Sequence, residues 1–112
     1  MSRSEKKCVH HCEIESTVAI IGGKWKVQII WHIGKNKPRF NELRDILGNV
    51  SPRMLAKQLK ELEVDGLVIR TMYPEIPPRV EYELTDAGKA FIPILEQIRT
   101  WIGEYFPEER IE

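Results

Sequence analysis

Apolar positions recur at helical spacing through the first half of the chain, with glycines and a proline between the stretches. This period predicts helices over residues 13–21, 24–33 and 41–47. Apolar side chains nearly surround the second stretch, which indicates a buried central helix. Gly22-Gly23 ends the first helix.

A fourth helix has a sharp start signal. Ser51 is suited to the N-cap, and Pro52 to the first helical position, where its missing N–H leaves no bond unmade. Leucines recur at helical spacing as far as Leu62, the helical pattern continues to about Asp65, and Gly66 is a stop signal. We therefore predict a capped helix over residues 52–65.

After this helix the pattern changes from helical to alternating. Two alternating runs flank a proline-rich turn at residues 74–78, which predicts a β-hairpin over 67–84 with a long tip. Thr85 then caps a last helix over 86–105. Pro93 lies within that helix, so either the helix kinks there or it begins later.

This order of elements predicts a mainly α fold with one small hairpin, in the α+β class. A short helix, a three-residue turn and a longer capped helix form a helix-turn-helix, and the hairpin that follows is the wing. The chain has 112 residues, enough for one domain. We expect a flexible arm over 1–11, a winged-helix domain with terminal dimerisation helices over 12–106, and a tail over 107–112.

The formal net charge is zero, but the charges are unevenly distributed. Residues 24–60 carry nine cationic and two acidic side chains, whereas residues 61–112 carry five and twelve. A basic region of this kind is expected of a phosphate-binding surface, although helix surfaces are commonly charged in any case.

The fourth predicted helix has two distinct faces. At about 100° per residue, one face carries cations and the opposite face carries leucines. The cations are Arg53, Lys57 and Lys60, and the leucines are Leu55, Leu59 and Leu62. Such a helix fits the major groove of DNA, although an ordinary surface helix would show the same two faces.

The residues expected to contact DNA differ in role. Arg53 and Gln58 can form bidentate bonds with bases, whereas Lys57 and Lys60 are better suited to phosphates. The other predicted contacts are Arg39, Ser51, Pro52, Met54, Arg70 and Arg79.

Arg70 and Arg79 are the basic residues of the hairpin. Arg79 follows two prolines that stiffen the tip, so it is placed to enter a minor groove or to meet a phosphate. For Arg70 the sequence leaves open a salt bridge to Glu81 or Glu83 across the hairpin.

The chain resembles the HxlR family of bacterial regulators, which is related to the MarR group. The matching stretches are Cys12, Ile21-Gly22-Gly23-Lys24-Trp25, Arg39-Phe40-Asn41-Glu42-Leu43, Ser51-Pro52-Arg53-Met54-Leu55, Leu62-Glu63, Asp65-Gly66-Leu67-Val68, Pro77-Pro78-Arg79-Val80-Glu81-Tyr82 and Leu84-Thr85. The resemblance implies a winged-helix fold, dimers formed through the terminal helices, and binding to palindromic operators. It also implies that Cys12, at the start of the first helix, is placed as in members that respond to oxidants or electrophiles.

Apolar side chains near the chain end also indicate a homodimer. A chain of this length has little left to cover them, and pairing of the terminal helices would set two recognition helices about 34 Å apart. Packing on the chain's own first helix is the alternative. The predicted interface residues are Ile14, Val18, Leu95, Ile98, Trp101, Ile102 and Tyr105.

Residues 8–12 combine two cysteines with two histidines. Cys8 and Cys12 form a redox switch if the neighbouring basic residues lower the pKa of a thiol. Zinc binding is an alternative, but tetrahedral sites usually draw on two separated ligand pairs and a second pair is missing. The cysteines are otherwise inert. We predict no metal and no cofactor, with an oxidant or small molecule as a possible effector.

Other functional classes have less support. The sequence has no glycine-rich phosphate loop and no plausible nucleophile set, so we do not expect an enzyme. No apolar run approaches the ~20 residues of a membrane span, and the first residues do not form a signal peptide, which favours the cytoplasm. A winged helix that binds protein instead of double-stranded DNA is the competing hypothesis. The main prediction is a transcriptional regulator, acting as a repressor.

Overall fold

A computed structural model describes residues 12–107, with side chains from Glu13 onward. The described residues form five α-helices and one two-stranded antiparallel sheet. In chain order these are α1 (Cys12–Ile21), α2 (Lys26–Lys35), α3 (Phe40–Leu47), α4 (Pro52–Val64), β1 (Val68–Tyr73), β2 (Arg79–Leu84) and α5 (Asp86–Tyr105).

Helix α2 is the centre of the domain, as its apolar pattern predicted. It packs against α3, α4, α5 and β2, and Ile29 and Ile30 are completely buried. The helix begins two residues later than predicted because Trp25 occupies the N-cap position. The other completely buried large side chains are Leu43, Leu55 and Leu62, so the core joins the two helices of the helix-turn-helix to α2.

The predicted start of α4 is confirmed in detail. The Ser51 hydroxyl accepts a hydrogen bond of 3.0 Å from the backbone N–H of Met54, and Pro52 is the first helical residue. Gly48 turns the chain out of α3 with φ of +87°, a left-handed conformation that favours glycine. Val50 is buried in the turn and fixes α4 to the core.

The hairpin pairs Val68 with Leu84 at its base and Tyr73 with Arg79 at its tip. The Thr85 hydroxyl donates to the Gly66 carbonyl at 2.6 Å and accepts from the backbone N–H of Gly88. One side chain therefore caps α5 and ties it to the end of α4, which fixes the base of the wing.

Helix α5 begins at Asp86 and continues through Pro93 to Tyr105, so the later start left open by the sequence is wrong. Gly88 allows the first turn of this helix to lie against the hairpin, because a Cβ there would clash with the Leu67 carbonyl oxygen. The architecture is the predicted winged helix. The predicted arm (1–11) and residues 108–112 of the predicted tail lie outside the described residues.

Candidate nucleic-acid interface

The two faces of α4 are as predicted. Leu55, Leu59 and Leu62 are buried in the core. The cations of the opposite face, Arg53, Lys57 and Lys60, are exposed to solvent. The helix therefore uses one side for packing and presents three positive charges on the other.

The N-terminus of α4 is exposed at Ser51, Pro52 and Met54. Gln58 is half-buried, and its amide lies 3.5 Å from the Met54 sulfur, a weak contact that orients the amide along the exposed side of the helix. The positive end of the helix dipole favours an anion at this end of α4, although Pro52 has no N–H and the Met54 N–H already donates to the Ser51 hydroxyl.

Arg39 lies at the start of the preceding helix, α3. Its backbone N–H donates a 2.8 Å hydrogen bond to the Glu42 carboxylate, and its side chain is exposed. The backbone is thus fixed while the guanidinium stays accessible.

Arg70 faces away from the two glutamates proposed as its partners. The register pairs Arg70 with Tyr82, whereas Glu81 and Glu83 pair with neighbouring residues and project from the opposite face. The alternative of a salt bridge to either glutamate is therefore wrong. Arg70 instead lines a cavity of about 310 Å³ between α4 and the hairpin, together with Lys60 and Glu63 of α4.

Arg79 is held inside the wing. Its guanidinium lies 2.9 Å from a Glu75 carboxylate oxygen, pairs with Glu81, and stacks 3.9 Å from the centre of the Tyr73 ring. The hydrogen bond from Arg79 lowers the pKa of Glu75, and the reciprocal bond raises the pKa of Arg79. The residue predicted to reach DNA from the tip thus has two carboxylate partners already.

An ion pair that sequence reasoning missed lies beneath α4. The Lys26 ammonium of α2 is 2.6 Å from one Glu61 carboxylate oxygen, and the Lys57 ammonium is 3.7 Å from the other. Lys26 was counted in the basic region, yet only 4 % of the residue is exposed. Its charge is internal to the domain.

The terminal helices leave large apolar side chains uncovered. Ile14 and Val18 of α1 are 70 % and 61 % exposed, and Trp101 and Tyr105 of α5 are 51 % and 67 % exposed. Helix α1 makes at most marginal contact with other elements, so the alternative of α5 packing on the chain's own first helix is not seen. Trp101 contacts Tyr105 and Phe106 instead.

Three other predicted interface residues lie between α2 and α5. Ile98 is 45 % exposed and, with the half-buried Ile102, lines an open cleft of about 490 Å³ beside Trp31. Leu95 is a correction to the prediction: it is 5 % exposed and belongs to the protomer's own core. Leu95 is buried because it lies on the side of α5 that packs against α2.

The model of the HxlR-like helix-turn-helix family matches residues 20–110 of this chain. The chain belongs to the HxlR-like family. Its HxlR-like sequence is 45 % identical over 102 residues to the HTH-type transcriptional regulator YybR of Bacillus subtilis, a match that covers 88 % of this chain and 82 % of YybR.

Two solved structures of regulators are similar to this HxlR-like chain. The oxidised form of the redox regulator HypR is 47 % identical, with a TM-score of 0.76 over 83 % of this chain and 95 % of HypR. The reduced form of the transcriptional regulator YodB of B. subtilis is 31 % identical, with a TM-score of 0.77 over 88 % of this chain and 96 % of YodB. The family and these relatives are transcriptional regulators and not enzymes, which confirms the predicted class and its DNA-binding fold.

The structure describes only the end of the predicted cysteine cluster of this HxlR-like protein. Cys8, His10 and His11 lie outside the described residues, as does the side chain of Cys12, although α1 begins at Cys12. Within residues 12–107 no group of three metal-ligating side chains comes together. In the same range no helix is long and apolar enough to span a membrane.

Proposed function

We propose that this HxlR-like protein is a sequence-specific transcriptional repressor that binds a palindromic operator as a homodimer. Helix α4 enters the major groove and the β1–β2 hairpin acts as the wing. A regulator of this kind acts on chromosomal DNA in the cytoplasm. One observation carries the proposal: α4 has a capped, exposed N-terminus and a cationic face opposite its buried leucines.

The predicted contacts divide by chemistry. Arg53 and Gln58 read base edges, because a guanidinium or a carboxamide can form two bonds to one base. Lys57 and Lys60 bind phosphates. Arg39, Arg70 and Ser51 add polar contacts to the DNA backbone, and Pro52 and Met54 add apolar contacts at the start of α4.

The wing contributes to DNA binding through two arginines, which differ in how free their guanidinium groups are to bind a phosphate. Arg70 shares a cavity between α4 and the hairpin with Lys60 and Glu63, so a phosphate that passes between the two elements meets two cations and one carboxylate. Arg79 contributes less, because a phosphate must compete with Glu75 and Glu81 for its guanidinium.

Dimerisation is supported by the uncovered apolar faces of α1 and α5. A second copy related by two-fold symmetry would cover these exposed side chains with the same residues of its own helices. The interface we propose contains Ile14, Val18, Ile98, Trp101, Ile102 and Tyr105.

Redox control is supported by similarity to HypR and YodB. HypR is a redox regulator, and its oxidised form is among the similar structures. We expect oxidation of Cys12, or a disulfide with Cys8 or between subunits, to change DNA affinity. Mild oxidation should alter binding by the wild type, while Cys12→Ser should abolish the response. An equal response in the variant would exclude Cys12 as the sensor.

The decisive experiment is fluorescence anisotropy of the reduced protein on its own upstream DNA across a salt series. Four cationic phosphate contacts in each half-site, from Lys57, Lys60, Arg39 and Arg70, predict a log-log slope of about −7 for the dimer, and six contacts in all would give about −5. Arg53→Ala should lose about 1–3 kcal/mol of binding and relax specificity at one position of the operator. Lys89→Ala is the matched control, because it removes an exposed charge from α5, outside the predicted contacts. Absence of binding at low salt would favour a winged helix that binds protein.

A further inference from the structure

Lys26 is the one buried charged residue among residues 13–107. Its ammonium lies 2.6 Å from a Glu61 oxygen, and its side chain is 6 % exposed. A lysine in such surroundings stays charged only when an anion compensates for the lost water. The pair joins the first turn of α2 to α4 and places the carboxylate between the core and the cationic face.

Glu61 also faces Lys57 on α4. Its second oxygen lies 3.7 Å from the Lys57 ammonium, across one helical turn, and the Lys57 side chain is 65 % exposed. The Lys26 contact is shorter and more buried, and ionic attraction grows as distance and local dielectric constant fall. Glu61 is therefore bound more strongly to the core lysine than to the surface lysine.

We propose that Lys26 is a positioning residue for DNA recognition, which holds the Glu61 carboxylate against α2 and so leaves Lys57 available to a DNA phosphate. The inference rests on the proposed function, since it assigns Lys57 to the DNA backbone. Without Lys26, the Glu61 carboxylate loses its shorter and more buried ion pair with a lysine and is drawn more strongly to Lys57, so a phosphate must compete with it for that ammonium. Lys26 itself is too buried to reach DNA.

Three variants test this arrangement by salt-dependent anisotropy on the upstream DNA. Lys26→Met removes the charge and keeps an apolar side chain of similar length. Its salt slope should fall in magnitude by about 1 per half-site. At about 0.1 M salt this corresponds to binding about eightfold weaker per half-site. Glu61→Gln should bind at least as tightly as the wild type, and Lys26→Met/Glu61→Gln should recover the wild-type slope.

The double variant separates this role from a purely structural one. A lysine that only stabilises the fold would lower the unfolding temperature without changing the salt slope, and removing Glu61 as well would not restore binding. Lys89→Met is the matched control, because it removes an equal charge from an exposed site. An unchanged slope in Lys26→Met, with steep salt dependence in the wild type, would overturn this inference and leave the proposed function intact. A wild type without salt-dependent binding would overturn the proposed function.

Discussion

Trp101 offers a quantitative test of the proposed dimer. The residue is 51 % exposed on α5, and an aromatic side chain of its size buries up to about 250 Å². Covering the exposed part would remove about 130 Å² from water, which at about 25 cal/mol per Å² stabilises the dimer by about 3 kcal/mol per protomer. Two-fold symmetry doubles this to about 6 kcal/mol.

Trp101→Ala should therefore weaken dimerisation by up to about four orders of magnitude, since each 1.4 kcal/mol is about tenfold. Sedimentation velocity over a concentration series measures the change. Ile76→Ala is the control, because Ile76 is fully exposed on the wing and its loss should leave the dimer intact. A dissociation constant within about threefold of the wild type for Trp101→Ala would refute the assignment of α5 to the interface.

Two further predictions concern the core and the wing. Leu62→Ala, at a completely buried position, should lower the free energy of unfolding by about 2–5 kcal/mol, whereas Val64→Ala, 64 % exposed in the same helix, should change it little; thermal or urea unfolding compares the two. Arg79→Gln should raise the pKa of Glu75 toward its ordinary value, because the hydrogen bond that lowers it is lost, so the Glu75 carboxylate should protonate at higher pH in an NMR titration. An unchanged Glu75 titration would mean that the contact between the two residues does not persist in solution.

The fold and the two faces of α4 could be predicted because both follow from local signals. The Ser-Pro start and the spacing of the leucines lie within one helix, so both can be recognised from the sequence. The same is true of the hairpin, whose strands show their period directly.

The ion pairs could not be predicted, since they depend on how distant elements meet. Lys26 and Glu61 lie on different helices, and only the packing of α2 on α4 brings them together. The strand register, which the alternating pattern leaves open, decides that Arg70 faces away from the glutamates. Leu95 lies in the same apolar stripe of α5 as the exposed residues, so the spacing of apolar residues alone does not separate core positions from surface positions.

Helix α1 has a consequence for how the proposed regulator responds to its own abundance. It has ten residues and at most marginal contact with the other helices and strands of residues 12–107, and a helix this short is marginal alone in water. In the proposed dimer, formation of α1 and association of two copies then become one linked equilibrium. Dilution would unfold the helix that begins at Cys12, so the cellular copy number of the protein would itself set the fraction of molecules in which α1 is folded.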